Sequence, residues 1–214
     1  MDAEPEVPAG GGVVPARRPA PVEHEVLDVV RDRWSARAID PAAGVAREQV
    51  ARLLEAARWA PSSGNAQPWR YVVFDDTVPA ARARARRCLR PRNAWAWAAP
   101  VLLVSAVQRC WPDSDEPNPS ALHDVGAASM ALCLQAVAEG LVCHQMAGFD
   151  RAAAREVCGL PSELDPVAFI AVGRPGRLGD LEPSRQRREL RDRRRRPISG
   201  TAFVGGCAGP GFAV

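Results

Sequence analysis

The sequence predicts a single domain of the α+β or α/β class. Its 214 residues are enough for one domain with a substantial core. Helix-period and strand-period segments alternate along the chain without internal repeats, and nothing marks a second domain. Hydrophobic residues make up 47% of the chain, a globular share. No stretch reaches the ~20 unbroken apolar residues of a membrane span.

Residues 1–22 are rich in Pro, Gly and Ala without a period, which predicts a disordered tail. Met1 to Pro21 show no basic stretch followed by an apolar one, so no secretory signal is expected. The domain should run over 23–204. Val26, Leu27 and Val30 give a short helical face leading into Arg33-Trp34-Ser35-Ala36-Arg37. From Arg47 to Ala60, the apolar residues Val50, Leu53, Leu54 and Ala57 follow the spacing of an amphipathic helix, ended by Pro61.

Arg70 to Phe74 reads as a strand closed by Asp75-Asp76, and an Ala- and Arg-rich helix follows over Pro79–Leu89. Val101–Val107 is a continuous apolar run of central-strand length. Leu122–Glu139 is a helix apolar almost all round, stopped by Gly140. Such a helix must be buried on every side, which in a small domain implies a partner chain over part of it. Leu141–Met146 and Val167–Val172 are two more short strands around a helix at Arg151–Cys158. Residues 180–196 are charged and polar. Thr201–Val204 regains strand character, as an arm that docks onto something would, before a Gly-rich tail at 205–214.

Composition excludes several chemistries. All 28 basic residues are arginine and none is lysine. That removes the Walker-A phosphate loop, pyridoxal-phosphate Schiff bases and the S-x-x-K hydrolases. There is no G-x-S-x-G elbow, His24-Glu25 lacks the second histidine of a zinc helix, and no G-x-G-x-x-G follows a strand. The glycines at 173, 176 and 179 are wrongly spaced for that motif. Six cysteines at 88, 110, 133, 143, 158 and 207 have no metal-ligand spacing and read as reduced thiols of a cytoplasmic protein. No metal is expected. The arginine runs 82–92 and 185–196 stand in a chain of net charge +3 with acids scattered throughout and few exposed aromatics, so nucleic acid is not expected either.

Two segments concentrate chemistry. Arg33, Ser35 and Arg37 alternate, so in an extended segment they share one face. Two planar guanidinium forks and a hydroxyl there make a competent phosphate site; an exposed charged turn would look the same. The loop Ala60-Pro61-Ser62-Ser63-Gly64-Asn65-Ala66-Gln67-Pro68-Trp69 packs two hydroxyls and two amides into six residues. That donor and acceptor capacity suits a flat heterocycle, though Asn and Gln of a structural turn could equally face solvent.

R-x-S-x-R followed about two dozen residues later by A-P-S-S-x-N-x-Q-P-W resembles the N-terminal half of nitroreductase-family flavoproteins. Further segments agree with the resemblance over roughly 24–204: Asn93-Ala94-Trp95-Ala96 before Ala99-Pro100-Val101-Leu102, then Leu122-His123-Asp124-Val125-Gly126. So do Gly140 to Asp150 and the ending Arg193-Arg194-Arg195-Arg196-Pro197-Ile198. The resemblance implies an α+β fold, helices layered on a central mostly antiparallel sheet, with a C-terminal arm exchanged in a homodimer and FMN at the interface.

It further implies that Arg33, Ser35 and Arg37, with Trp34 between them, hold the FMN phosphate and pyrimidine side. Ser62, Ser63, Asn65 and Gln67 would serve the isoalloxazine edge or ribityl chain, in such dimers those of the partner's FMN. Backbone groups of Gln145, Met146, Ala147 and Gly148 would face N5, and Arg193 and Arg195 would close over the phosphate. His144 is a candidate proton donor to substrate. The implied activity is NAD(P)H-driven two-electron reduction of a nitroaromatic, quinone or activated enone, with NAD(P)H a transient co-substrate. An FMN-dependent biosynthetic dehydrogenase using oxygen and a non-catalytic flavin-binding protein are the alternatives. The chain departs from the pattern at Trp34, at the Gly-rich end with Cys207 and no Trp, and in the short segment between Val107 and Leu122, which predicts an open pocket.

Overall fold

The computed structural model describes residues 12–213. Its centre is a four-stranded antiparallel sheet in the order β1-β2-β4-β3: β1 is Trp69–Phe74, β2 Val101–Gln108, β3 Val142–Met146 and β4 Leu164–Gly173. β2 and β4 lie in the middle, which is why both are apolar almost throughout. β1 and β3 are the edges. A register shift between Ser105 and Ala106 bends β2 against β4.

The helices are α1 (Asp28–Asp32), α2 (Arg47–Arg58), α3 (Pro79–Cys88), α4 (Ala121–Ala138), α5 (Arg151–Cys158) and α6 (Pro183–Leu190). One layer joins α2 and α4 to the sheet face of Trp69, Leu103, Cys143, Ile170 and Val172. The other side carries Phe74, Leu102, Val104, Val142, Met146 and Phe169, packed by α3, α5 and the Trp95 segment. The expected α+β fold with a mostly antiparallel sheet is therefore what the chain forms. The strand positions and most helix positions follow the hydrophobic periods. Asp150 caps α5 by accepting from Ala153 N at 3.0 Å, and Gly159 ends it in the left-handed region.

Three expectations need correction. The disordered tail was set to end at residue 22, but Val14 is buried, Val13 bridges Arg177, and Arg18 N bonds Asp32 O at 2.9 Å. A few apolar and arginine contacts order what composition alone marks as loose; residues 1–11 of that tail lie outside the described residues. Val26, Leu27 and Val30 do not face the core: all three are exposed, and only Asp28–Asp32 is helical.

Within the charged segment 180–196, Pro183 opens α6. Thr201–Val204 forms no sheet strand. Phe203 bridges Gly211 and Phe212 N bonds Ala202 O at 2.8 Å, so the Gly-rich tail folds back on the arm instead of continuing from it. In the single chain α4 is covered on one face only. Leu122, Gly126 and Met130 form an outward i, i+4, i+8 stripe, with Leu122 64% and Met130 38% exposed. Among the described residues α4 is the one helix long and apolar enough to cross a membrane, and half of it is buried in the core.

Candidate functional site: an arginine-lined edge beside β3

After α1 the chain runs extended. Asp32, Trp34, Ala36 and Ala38 point inward and are buried, so Arg33, Ser35 and Arg37 share the outer face. Backbone bonds hold this segment against the residues following β4: Gly176 N donates to Ala38 O at 2.9 Å and Asp40 N to Arg174 O at 3.0 Å. The approach is close because residue 176 is glycine; a Cβ there would sit 2.5 Å from the Ile39 carbonyl carbon. The glycines that failed as a nucleotide motif thus serve packing.

On the outer face, Arg33 Nη1 donates to Ser35 Oγ at 3.3 Å. Arg37 meets Glu189 through Nη1 at 3.1 Å, and the same carboxylate accepts from the Arg37 and Ala38 backbone N–H groups. Glu189 is almost wholly buried. It comes from α6, whose C-terminal carbonyls at 189, 190 and 191 accept from the Arg18 guanidinium, which also lies 5.2 Å over the Trp34 ring. Sequence reasoning missed Glu189 and Arg18. The one signal for the first was Pro183 as a helix start.

Arg193 reaches the same edge, but differently from expectation. Its guanidinium donates to the backbone carbonyls of Arg18, Arg31 (2.6 Å) and Arg33 (2.7 Å). It staples the extended segment rather than standing free as a clamp. Burial holds its pKa below the ordinary arginine value, and the neighbouring charges of Arg33, Arg195 and Arg18 lower it further. Arg195 is exposed and, among the described residues, donates to the adjoining Arg194 carbonyl at 2.8 Å. Trp34 leaves the site altogether: its ring packs inward, with the indole N–H on Pro15 O at 3.0 Å.

β3 alternates its side chains between the layers. Gln145 faces α4, donating to Ser129 O and Cys133 Sγ at 3.4 Å each. His144 faces the opposite layer. Its Nδ1 lies 3.0 Å from Ala36 O and its ring 4.6 Å from Trp95. A carbonyl partner makes Nδ1 the protonated nitrogen. Burial pushes the pKa down to about 4, with Arg37 and Arg33 opposing a further positive charge. A neutral imidazole packed behind the segment does not serve as proton donor at neutral pH, so His144 is a support for Ala36. Because the folded form resists protonation, its stability contribution is complete above the unfolded pKa near 6.5 and is lost as pH falls toward 4. The unfolding free energy read from urea titrations should fall over that window by on the order of 3 kcal/mol, and His144→Gln should flatten that limb.

Beyond Met146 the chain turns through exposed Ala147 and buried Gly148. Gly148 O accepts from Asn93 Nδ2 at 2.9 Å and Arg90 N at 3.1 Å, and a Cβ on Gly148 would lie 2.8 Å from that amide nitrogen. Asn93, absent from the expected site, fixes the loop at the end of β3.

The Ser62–Gln67 loop stands elsewhere. Ser63 N donates to the buried Asp124 carboxylate at 3.1 Å in the first turn of α4, and Gln67 N to Ser62 Oγ at 3.0 Å. Asn65 and Gln67 hold φ of 53° and 46°, two of the three non-glycine residues with positive φ among those described. Such strain costs about 1 kcal/mol or more per residue and clusters at functional loops. Both side chains are exposed. Arg33 sits further along α4, close enough to Cys133 for its charge to favour the thiolate. Nine residues of helix separate Asp124 from Cys133, about 14 Å of rise. Within one chain the two predicted halves of the site are therefore apart.

With this geometry in place, comparison with known proteins defines the class. Residues 30–174 match the nitroreductase family, and the chain belongs to it. An uncharacterised 15.4 kDa protein in the ask 5' region of Mycolicibacterium smegmatis is 33% identical over 127 residues, 57% of this chain and 81% of that one. The major NAD(P)H-flavin oxidoreductase of Aliivibrio fischeri is 34% identical over 59 residues, 28% of this chain and 27% of its own length, so the chain spans about a quarter of that relative. A solved structure described as the oxidoreductase containing FMN superposes with a TM-score of 0.81 at 29% identity, covering 89% of this chain and 96% of the other.

Proposed function

We propose that this chain is an FMN-dependent oxidoreductase whose cofactor phosphate lies against Arg33, Ser35 and Arg37 with Arg195 closing from the arm. The observation that carries the reading is the crowding of Arg18, Arg33, Arg193 and Arg195 at one edge, close enough that their charges depress Arg193. Asp32 offsets part of that repulsion, and a bound anion would relieve more of it. Arg37 also fits: Glu189 engages it through one nitrogen, and two more donors of the fork remain for phosphate oxygens. When bound, FMN supplies two-electron transfer; the chain supplies position and charge. Arg33 and Arg37 favour an anionic reduced cofactor, the Ala147–Gly148 loop borders its reactive edge, and His144 holds the Ala36 carbonyl behind it.

The reading includes NAD(P)H as transient reductant and a nitroaromatic, quinone or activated enone as acceptor, in a cytoplasm that keeps the cysteines reduced. It also includes a homodimer. Val26 and Leu27 just before α1, Val30 within it, and Leu122 and Met130 on the adjoining α4 are all exposed apolar residues. A partner there, with Phe203 of the arm exchanged, would bring its Ser62–Gln67 loop to the cofactor that the same chain's loop does not reach.

Purified protein should be yellow, release FMN and not FAD on denaturation, sediment at twice 23.0 kDa, and oxidise NADPH when given a quinone. Released FAD, or no flavin after reconstitution, refutes the cofactor. Tight FMN binding by a monomer refutes the shared site. FMN without NAD(P)H oxidation would leave a flavin-binding protein that is not this enzyme.

A further inference from the structure

We propose that Cys133 and Cys143 form a peroxide-sensitive dithiol that closes to an intrachain disulfide between α4 and β3. The two sulfurs lie 3.3 Å apart in the core, each cysteine 2% exposed. A disulfide needs ~2.05 Å, so closure asks for little more than an ångström of sulfur movement. The other four cysteines, at 88, 110, 158 and 207, are also free, but no other pair of sulfurs is within contact among the described residues.

The surroundings differentiate the two thiols. Cys133 Sγ accepts from Gln145 Nε2 at 3.4 Å and faces the Cys143 thiol. Arg33 adds positive charge nearby. Those donors hold Cys133 below the ordinary thiol value, while Cys143, its donor, is held well above it. Cys133 is thus the nucleophile and Cys143 the resolving thiol. Gln145 beside them is exposed and marks the side from which a water-sized oxidant arrives.

The reaction balances with hydrogen peroxide as the named oxidant. Cys133 thiolate attacks one peroxide oxygen, the O–O bond breaks, and with one proton the products are Cys133 sulfenic acid and water. Cys143 sulfur then displaces the hydroxyl, its proton leaving in a second water, and the S–S bond forms. Two thiols have lost two electrons to one peroxide. Neither step requires flavin, so this inference and the proposed oxidoreductase activity stand or fall separately.

The test treats the full-length protein, as isolated and after flavin removal, with hydrogen peroxide, then alkylates it in denaturant and weighs it intact. Six alkylated thiols before treatment should become four, with the protein mass after subtracting the tags lower by two hydrogens, peptide mapping should join 133 to 143, and dithiothreitol should restore all six. Cys133→Ala should abolish the linkage, and Cys88→Ala, a buried cysteine elsewhere, should not. Six alkylated thiols after peroxide, a linkage through Cys110 or Cys207, or unchanged loss in Cys133→Ala would each overturn the proposal. Mapping on the unaltered chain decides the matter even if Cys133→Ala fails to fold.

Discussion

Glu189→Ala is expected to destabilise the fold by about 3–5 kcal/mol, the usual consequence of removing one partner from a buried ion pair. Three donors lose their acceptor together: the Arg37 guanidinium and the backbone N–H groups of Arg37 and Ala38. Ala38 is fully enclosed, so its N–H gains no water in exchange. For a domain of this size the loss corresponds to a fall in Tm on the order of 10 °C. Glu189→Gln keeps an oxygen for the backbone donors and surrenders only the charge, so it should fall between alanine and the parent. Urea unfolding of the three proteins measures the series. A cost below about 1 kcal/mol for the alanine variant would show that α6 does not fasten the Arg33–Arg37 edge.

That contact also marks the limit of what the sequence disclosed. The strands at 69–74, 101–108 and 164–173 were legible because a sheet core leaves unbroken apolar or alternating runs, and α4 because a long apolar run ends in a glycine stop. The outward alternation of Arg33, Ser35 and Arg37 followed from the period of an extended chain alone. Glu189 was invisible for a physical reason: its partners are main-chain N–H groups 151 and 152 positions away, and nothing in the composition of 180–196 separates a buried carboxylate from a solvated one. Arg193 misled in the opposite sense, since a guanidinium that satisfies carbonyls reads identically to one waiting for phosphate. Trp34 follows from the alternation that placed Arg33: the same period that turns the arginines out turns the indole in. The apolar character of α4 implied burial on all sides, whereas the single chain covers one face and leaves Leu122, Gly126 and Met130 open, a difference that no local period contains.

Arg33→Ala should weaken FMN binding more than a hundredfold while leaving stability nearly unchanged. Among the outward residues Arg33 is the least committed to the fold, since its side chain bonds only Ser35 Oγ within the outer face. Removing a cation from a half-buried phosphate leaves the anion uncompensated, and a loss of about 3 kcal/mol is more than a factor of a hundred in Kd. Arg37→Ala should lower affinity too, but with a stability loss, because it also strands Glu189. Arg195→Ala tests the arm: if Arg195 closes over the phosphate, its affinity loss should approach that of Arg33→Ala. Arg194, exposed and 3.8 Å from Asp192, should matter less. Arg84, exposed on α3 away from this edge, should change neither quantity. Flavin fluorescence titration of the five apo variants, paired with urea midpoints, separates binding from folding. Equal affinities for the Arg33 and Arg84 variants would remove the phosphate from this edge, and the cation cluster would then need another anion.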